Sequence, residues 1–245
     1  MDRHDLYELC VQSPPHAVAL LRAIHGHEPC VLGEDFCGTA AVSREWARGD
    51  GCSAVAADID ASLSPTRRRV AAPAVEFVEV DLLERGVDQR ADVIFVGNFS
   101  IGEIHERAAL VRHLRRSLAR LNPGGVFVCD TYGGESAFRV GSFIRTHAAA
   151  EGSIVHYTWE HRSADPATGI VENAIHFRVV HAGEVVLDLP DAFVYRWRLW
   201  SIPELRDAMR DAGFVRTSVH RSLEGQEEAG GLPSDYIVCV AAFKE

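Results

Sequence analysis

The chain has 245 residues and carries 35 Asp and Glu against 25 Lys and Arg, a formal charge of −10. Hydrophobic residues make up 47% and charged residues 24%, which is too much apolar material for a disordered chain and enough for a core without staples. The acidic balance argues against nucleic acid as the main partner, because phosphate binding wants a clustered basic surface. The length fits one large domain, or a domain with an elaboration. No apolar run approaches the roughly 20 residues that cross a bilayer, so no membrane partner is expected. The six cysteines form no Cys-x-x-Cys pair and stand beside no matching His pair, so no metal site is expected. Scattered thiols and an N-terminus without a signal-peptide pattern predict a cytoplasmic protein.

Leu6, Leu9 and Cys10 share a helical face, Pro14-Pro15 interrupts, and Ala17 to Ile24 form a second apolar helix that ends at Gly26. From Cys30 the pattern changes to short apolar runs alternating with helical ones. The runs are Cys30 to Leu32, Ala54 to Ala57, Val75 to Val80, Val93 to Val96 and Val126 to Cys129. Helices are expected from Thr39 to Arg48 and from Arg107 to Leu121, the second ended by Asn122-Pro123-Gly124-Gly125. Alternating strands and helices mean crossover units, and near-continuous apolar strands mean a parallel sheet covered on both faces. The fold class is therefore α/β, a doubly wound and mostly parallel sheet.

Ser153 to Arg162, Ile170 to Val180 and Val185 to Leu199 are rich in Val, Ile, Tyr, Trp and Phe and are separated by turn clusters. They predict an antiparallel meander of three or four strands inserted into that sheet domain. A capping box, Ser201-Ile202-Pro203-Glu204, starts a helix that ends at Gly213. Two further strands, Val215 to His220 and Tyr236 to Phe243, flank an acidic, Gly-rich loop from Glu224 to Pro233. The organisation reads as an N-terminal helical lid over 1–29, a cofactor-binding domain over 30–150 and 200–245, and inserted strands over 151–199.

Ligands of open α/β sheets bind outside the carboxyl ends of the strands. The first strand is followed by Glu34-Asp35-Phe36-Cys37-Gly38-Thr39-Ala40, where Gly38 permits a tight turn. Asp58 follows the second strand, at a spacing from Gly38 suited to ribose hydroxyls. Asp81 follows the third strand, Asn98-Phe99-Ser100 the fourth, and Asp130-Thr131-Tyr132 the fifth.

This set resembles the class I S-adenosylmethionine-dependent methyltransferases, in an uncharacterised branch acting on small molecules. The matching pieces are Val31 to Ala40, Ala57-Asp58-Ile59-Asp60, Val80-Asp81-Leu82 and Leu121-Asn122-Pro123-Gly124-Gly125-Val126. The resemblance implies a seven-stranded Rossmann-like sheet and S-adenosylmethionine as cofactor, leaving as S-adenosylhomocysteine. It implies that Glu34, Phe36, Cys37, Gly38 and Thr39 wrap the methionine part and that Asp58 holds the ribose. By the same resemblance Ile59 packs on adenine, Asp81 and the Leu82 amide meet the adenine edge, and Asn98 lies near the methyl group. Phe36 and Ala40 stand where the family often has glycine, and either Glu34 or Asp35 is the motif acid, with Glu34 favoured by register.

The expected reaction is in-line transfer of a methyl group to a nitrogen or oxygen of a small molecule. A base is needed only if the acceptor arrives protonated, and His105, Asp130 and Tyr132 are the candidates. Tyr7 is expected to reach the cofactor from the lid, and the inserted strands to cover the acceptor or form a homodimer contact. Asn98-Phe99-Ser100 lacks the Asn/Asp-Pro-Pro-Tyr pattern of enzymes that methylate bases or glutamine amides. Two alternatives stay open: a non-catalytic cofactor binder, and an NAD-dependent oxidoreductase, which wants three glycines where only Gly38 is present. His25-Gly26-His27-Glu28 reads as a polar helix end rather than a metal site, and Arg67-Arg68-Arg69 as a solvated helix face. Cys37 reads as a small packing residue rather than a nucleophile. Of Trp159, Tyr195, Trp197 and Trp200, at least half are expected in the core and the rest in a substrate pocket.

Overall fold

The structure is a computed structural model and describes residues 1–63, 72–221 and 235–245. The Arg67-Arg68-Arg69 face and the Glu224 to Pro233 loop lie outside the described residues. In chain order the helices are α1 (Arg3–Val11), α2 (Pro14–His25), α3 (Ala41–Trp46), α4 (Arg107–Arg120) and α5 (Ile202–Ala212). The strands are β1 (Val31–Asp35), β2 (Ser53–Asp58), β3 (Val75–Glu79), β4 (Ala91–Val96), β5 (Leu121–Gly134), β6 (Gly141–Ala148), β7 (Ile154–Asp165), β8 (Ile170–His181), β9 (Glu184–Arg198), β10 (Arg216–Arg221) and β11 (Asp235–Phe243).

One sheet has seven strands in the order β10-β11-β5-β4-β1-β2-β3. Strands β3, β2, β1, β4 and β5 pair in parallel, and β11 runs antiparallel to both β5 and β10. Its central strands are apolar on both sides. In β4, Val93 and Phe95 point to the face covered by α2 and α3, while Ile94 and Val96 join the face covered by α4 and α5. β5 and β11 repeat the alternation, with Val126 and Val128 against Phe127 and Cys129, and Cys239 and Ala241 against Val238 and Val240. A strand buried on both faces has no room for a polar ligand along its length, so ligands are confined to the strand ends. The strand order reverses between β1 and β4, which places the switch point there.

The second sheet has four antiparallel strands, β6-β7-β8-β9. Its inner face packs on α1 through Leu6 and Cys10, against Val155, Tyr157, Ile175 and Phe177. The capping box at Ser201 forms with Glu204, and α5 ends at Gly213 in the left-handed region.

Three expectations change. The break between the first two helices falls at Gln12-Ser13, and Pro14 and Pro15 open α2 ahead of Ala17, where proline's missing amide costs nothing. β1 does not stop at Leu32 but runs through Glu34 and Asp35, which pair with Ala56 and Ala57 of β2. The inserted sheet begins ahead of residue 151, because Gly141 to Ala148 pair with Ile154 to His161. Nearly every residue of β6 is exposed, so it lacks the alternation that marks a half-buried strand.

Asp35 and Arg120 carry the main polar interaction inside the sheet domain. Both are almost fully buried, and one guanidinium nitrogen meets the two carboxylate oxygens at 2.8 and 3.0 Å. The ring of His113 stands 3.8 Å from the same carboxylate. Gly33 makes the space: a Cβ there would come within 2.5 Å of the guanidinium. Removing one member of a buried pair leaves the other uncompensated. Arg120→Met is expected to cost about 3–5 kcal/mol in urea denaturation. Gly33→Ala is expected to destabilise in the same direction, and its cost to shrink in the Arg120→Met background, because both act on one guanidinium.

Candidate functional site

The turn after β1 is the first wall of the site. Phe36, Gly38 and Ala40 all lie in the left-handed region, with φ of 59, 54 and 59°. The residues that replace glycine therefore keep a backbone that glycine adopts most easily. Two carboxylates hold the turn. Glu34 accepts the Ser43 amide at 2.8 Å and the Ser43 hydroxyl at 2.5 Å, which anchors the start of α3. Asp58, at the end of β2, accepts the Gly38 amide at 2.8 Å and the Asp60 amide at 2.9 Å. A Cβ at Gly38 would meet nothing within 4 Å, so the turn faces open space. Cys37 is buried and packs with the α2–α3 core. Asp35, the other candidate for the motif acid, points to Arg120 inside the fold.

Around the β2 and β3 ends, Ile59 is 62% exposed and free to cover a flat apolar group. Asp81 accepts the Leu83 amide at 2.9 Å, which fixes the turn that carries the buried Leu82. Thus Glu34, Asp58 and Asp81 come from three neighbouring parallel strands.

The β4 and β5 ends form the opposite wall. Asn98 and Phe99 are both left-handed, with φ of 54 and 63°. Asp130 holds this turn by accepting the Asn98 amide at 2.9 Å and the Phe99 amide at 2.6 Å. Tyr132 lies beside Phe99, ring centroids 4.7 Å apart, and its hydroxyl accepts from the Asn173 amide nitrogen at 3.0 Å. Burial pushes the Tyr132 hydroxyl up to about 12, so it keeps its proton at neutral pH. His105 is occupied by Arg196: one ring nitrogen is 2.7 Å from its carbonyl and the other 3.1 Å from its guanidinium. The short turn after β4 ends in Glu103, whose carboxylate accepts from the Trp197 indole at 2.7 Å.

Helix α1 and the inserted sheet close the third side. Glu8 accepts from the Thr39 hydroxyl and from Arg44 at 2.6 Å, so α1 is fastened to the β1 turn. Tyr7 and Tyr195 share a hydrogen bond, and Tyr7 packs edge-on against Phe193 at 5.1 Å. Trp159, Tyr195 and Trp197 form an aromatic row, with the Tyr195 and Trp197 centroids 4.4 Å apart. Trp197 and Trp200 are buried, while Trp159 and Tyr195 are half-buried.

The sequence reading singled out no role for Glu8 or Asn173. Nothing local connects Glu8 to Thr39. Asn173 had a signal, a lone amide inside an apolar strand, since it is fully buried there. Glu160, His176 and Asp191 also converge on the outer face of the inserted sheet, where Arg162 already pairs with both carboxylates.

No protein-family model and no curated protein matches the sequence. Solved structures do match over nearly the whole chain. DesVI of Streptomyces venezuelae superposes with a TM-score of 0.76 at 18% identity, covering 99% of this chain and 97% of its own. An amino pentose methyltransferase of Micromonospora echinaspora, solved with S-adenosylmethionine bound, gives 0.75 at 16% identity, covering 99% and 96%. A sugar N-methyltransferase of Streptoalloteichus gives 0.69 at 16% identity, covering 98% and 92%. The chain has the fold of an S-adenosylmethionine-dependent methyltransferase. In that fold the three carboxylates and the turn around Gly38 occupy the carboxyl ends of the strands next to the switch point.

Burial lifts the Glu34 carboxyl to about 7, against the pull of its two bonds from Ser43. A carboxyl raised on folding is bound to its proton more tightly in the native state, so its contribution falls as pH rises from the ordinary carboxylate range to about 7. Relative to Glu34→Gln, the native chain is therefore expected to lose on the order of 3 kcal/mol across that window. Urea denaturation of both proteins at pH 5 and pH 8 measures it, and a pH-independent difference contradicts the assignment.

Proposed function

We propose that this chain is an S-adenosylmethionine-dependent methyltransferase that methylates a nitrogen or oxygen atom of a small molecule. The observation that supports it most is the placement of Glu34, Asp58 and Asp81 at the carboxyl ends of three neighbouring strands, around a turn with open space over Gly38. The donor set suits the cofactor: carboxylates for hydroxyl and amino groups, an exposed isoleucine for a flat ring, and left-handed backbone that lets a ligand approach closely.

In this reading Asp58 holds the ribose and Ile59 covers adenine, while Asp81 and the Leu82 amide take the adenine edge. Glu34, Phe36, Cys37, Gly38, Thr39 and Asn98 surround the methionine part, and Tyr7 covers it from α1. The cofactor's sulfonium supplies an activated methyl group and leaves as S-adenosylhomocysteine. The protein's task is then to align the acceptor and exclude water. Tyr132, still protonated, orients the acceptor by its hydroxyl. Asp130 and His105 position the two turns that follow β4, through the amides and Arg196 described above. The likeness to an amino pentose methyltransferase and a sugar N-methyltransferase favours an amine among the small-molecule acceptors.

Calorimetry with S-adenosylmethionine tests the cofactor, and no binding at millimolar concentration sinks the proposal. Release of S-adenosylhomocysteine with a metabolite pool distinguishes an enzyme from a non-catalytic binder. Asp58→Ala is expected to weaken cofactor binding by about one to two orders of magnitude, the worth of a lost hydrogen bond to a charged group and of a loosened turn. Asp58→Asn keeps one oxygen for the Gly38 amide and is expected to fall between Asp58→Ala and the native chain. An unchanged affinity in Asp58→Ala contradicts the assignment.

A further inference from the structure

The 3-10 turn after β4 sets Glu103 at the carboxyl end of the sheet, on the side opposite Asp58. Gly102 allows this placement, because a Cβ there would come within 2.9 Å of Trp197. The end of β9 is therefore seated directly on the turn. Trp197 donates to one oxygen of Glu103, and among the described residues the other oxygen, Oε2, takes no hydrogen bond. Around the indole that holds this carboxylate lie aromatic rings from both sheets. Phe99 and Tyr132 come from the strand ends, with centroids 6.1 and 6.5 Å from Trp197, and Tyr195 stacks on Trp197 at 4.4 Å.

We propose that Glu103, with Phe99, Tyr132, Tyr195 and Trp197, forms a subsite for the cationic amino group of the methyl acceptor. An ammonium is recognised by a carboxylate that receives its N–H bonds and by the negative faces of aromatic rings. A hydroxyl acceptor gains little from either, so the arrangement selects amine over alcohol. Before transfer the bound ammonium breaks one N–H bond and passes that proton to Oε2 of Glu103, which frees the nitrogen lone pair for the methyl group. Glu103 is exposed at this end of the sheet, so a ligand can reach its carboxylate. Glu103 is raised above the ordinary carboxylate range by desolvation, and further by the charge of Asp58 across the opening. The Trp197 bond and nearby His105 pull the other way. A cation would relieve both raising effects at once.

The inference rests on the proposed function for its meaning, but its test does not need the cofactor. Cyclohexylamine, a cation at neutral pH, and cyclohexanol, its neutral counterpart, are titrated separately into the full chain. The readout is the indole N–H NMR resonance of Trp197, assigned with Trp197→Phe. Cyclohexylamine is expected to bind about tenfold more tightly than cyclohexanol and to shift that resonance. In Glu103→Gln, which keeps an oxygen for the indole, the preference is expected to disappear while thermal stability and S-adenosylmethionine affinity stay as in the native chain. Equal binding of the two probes, no binding of the amine at millimolar concentration, or a preference that survives in Glu103→Gln each overturn the subsite. A chain that binds the amine in this way but not S-adenosylmethionine retains the subsite and loses the methyltransferase reading.

Discussion

Asp58 accepts the Gly38 amide from across the β1–β2 pair, and Glu34 accepts the amide and hydroxyl of Ser43. Between Glu34 and Ser43 the chain takes three left-handed residues, two of which are not glycine. Each such residue costs on the order of 1–2 kcal/mol outside glycine, so a loop of this kind persists only where its surroundings determine it. The wall of the site therefore depends on two carboxylates that first hold the protein itself. A second turn follows the same rule after β4, where Asp130 holds the left-handed Asn98 and Phe99.

The two sheets are joined at this same place. α1 buries Leu6 and Cys10 against the inserted sheet and fastens its Glu8 to Thr39 and Arg44 on the other. β9 arrives from the opposite side, with Trp197 on the turn after β4 and the Trp200 indole donating to the Ile104 carbonyl at 2.9 Å. The strand ends are thus roofed by elements that belong to neither crossover of the main sheet. Elements lying across strand ends exclude water and add contacts without disturbing the buried faces beneath.

What the sequence made legible follows from which signals are local. The buried strands showed because both faces are apolar, so Val93 to Val96 and Val126 to Cys129 stand out whatever their partners. Asp58 showed because its distance from Gly38 along the chain reflects one strand–helix–strand unit. β6 did not show, because an exposed edge strand carries no alternation. The Asp35–Arg120 pair was hidden for another reason: its members come from β1 and the end of α4, and nothing in the intervening sequence says that the helix end lies beneath the first strand. The three site acids look alike in sequence, and only the fold reveals that Glu34 and Asp58 each accept two protein donors. Glu103 follows the fourth strand closely, but its partner Trp197 arrives from the inserted sheet, so nothing near it in sequence marks the contact.

The strand order has a consequence for how the chain is made. β5 pairs on one side with β4, which precedes it closely, and on the other with β11, Asp235–Phe243. The whole inserted sheet lies between them in sequence. Until β11 is synthesised and docks, one edge of β5 stands unpaired, with Val126, Phe127, Val128 and Cys129 among its residues, all fully buried in the finished fold. An apolar strand with an open edge is a template for pairing with other chains. The antiparallel meander that emerges meanwhile is built from sequential hairpins and forms without waiting for distant partners. A nascent chain of this topology spends that interval with its smaller sheet able to close and its larger one still open, when binding by a chaperone protects it most.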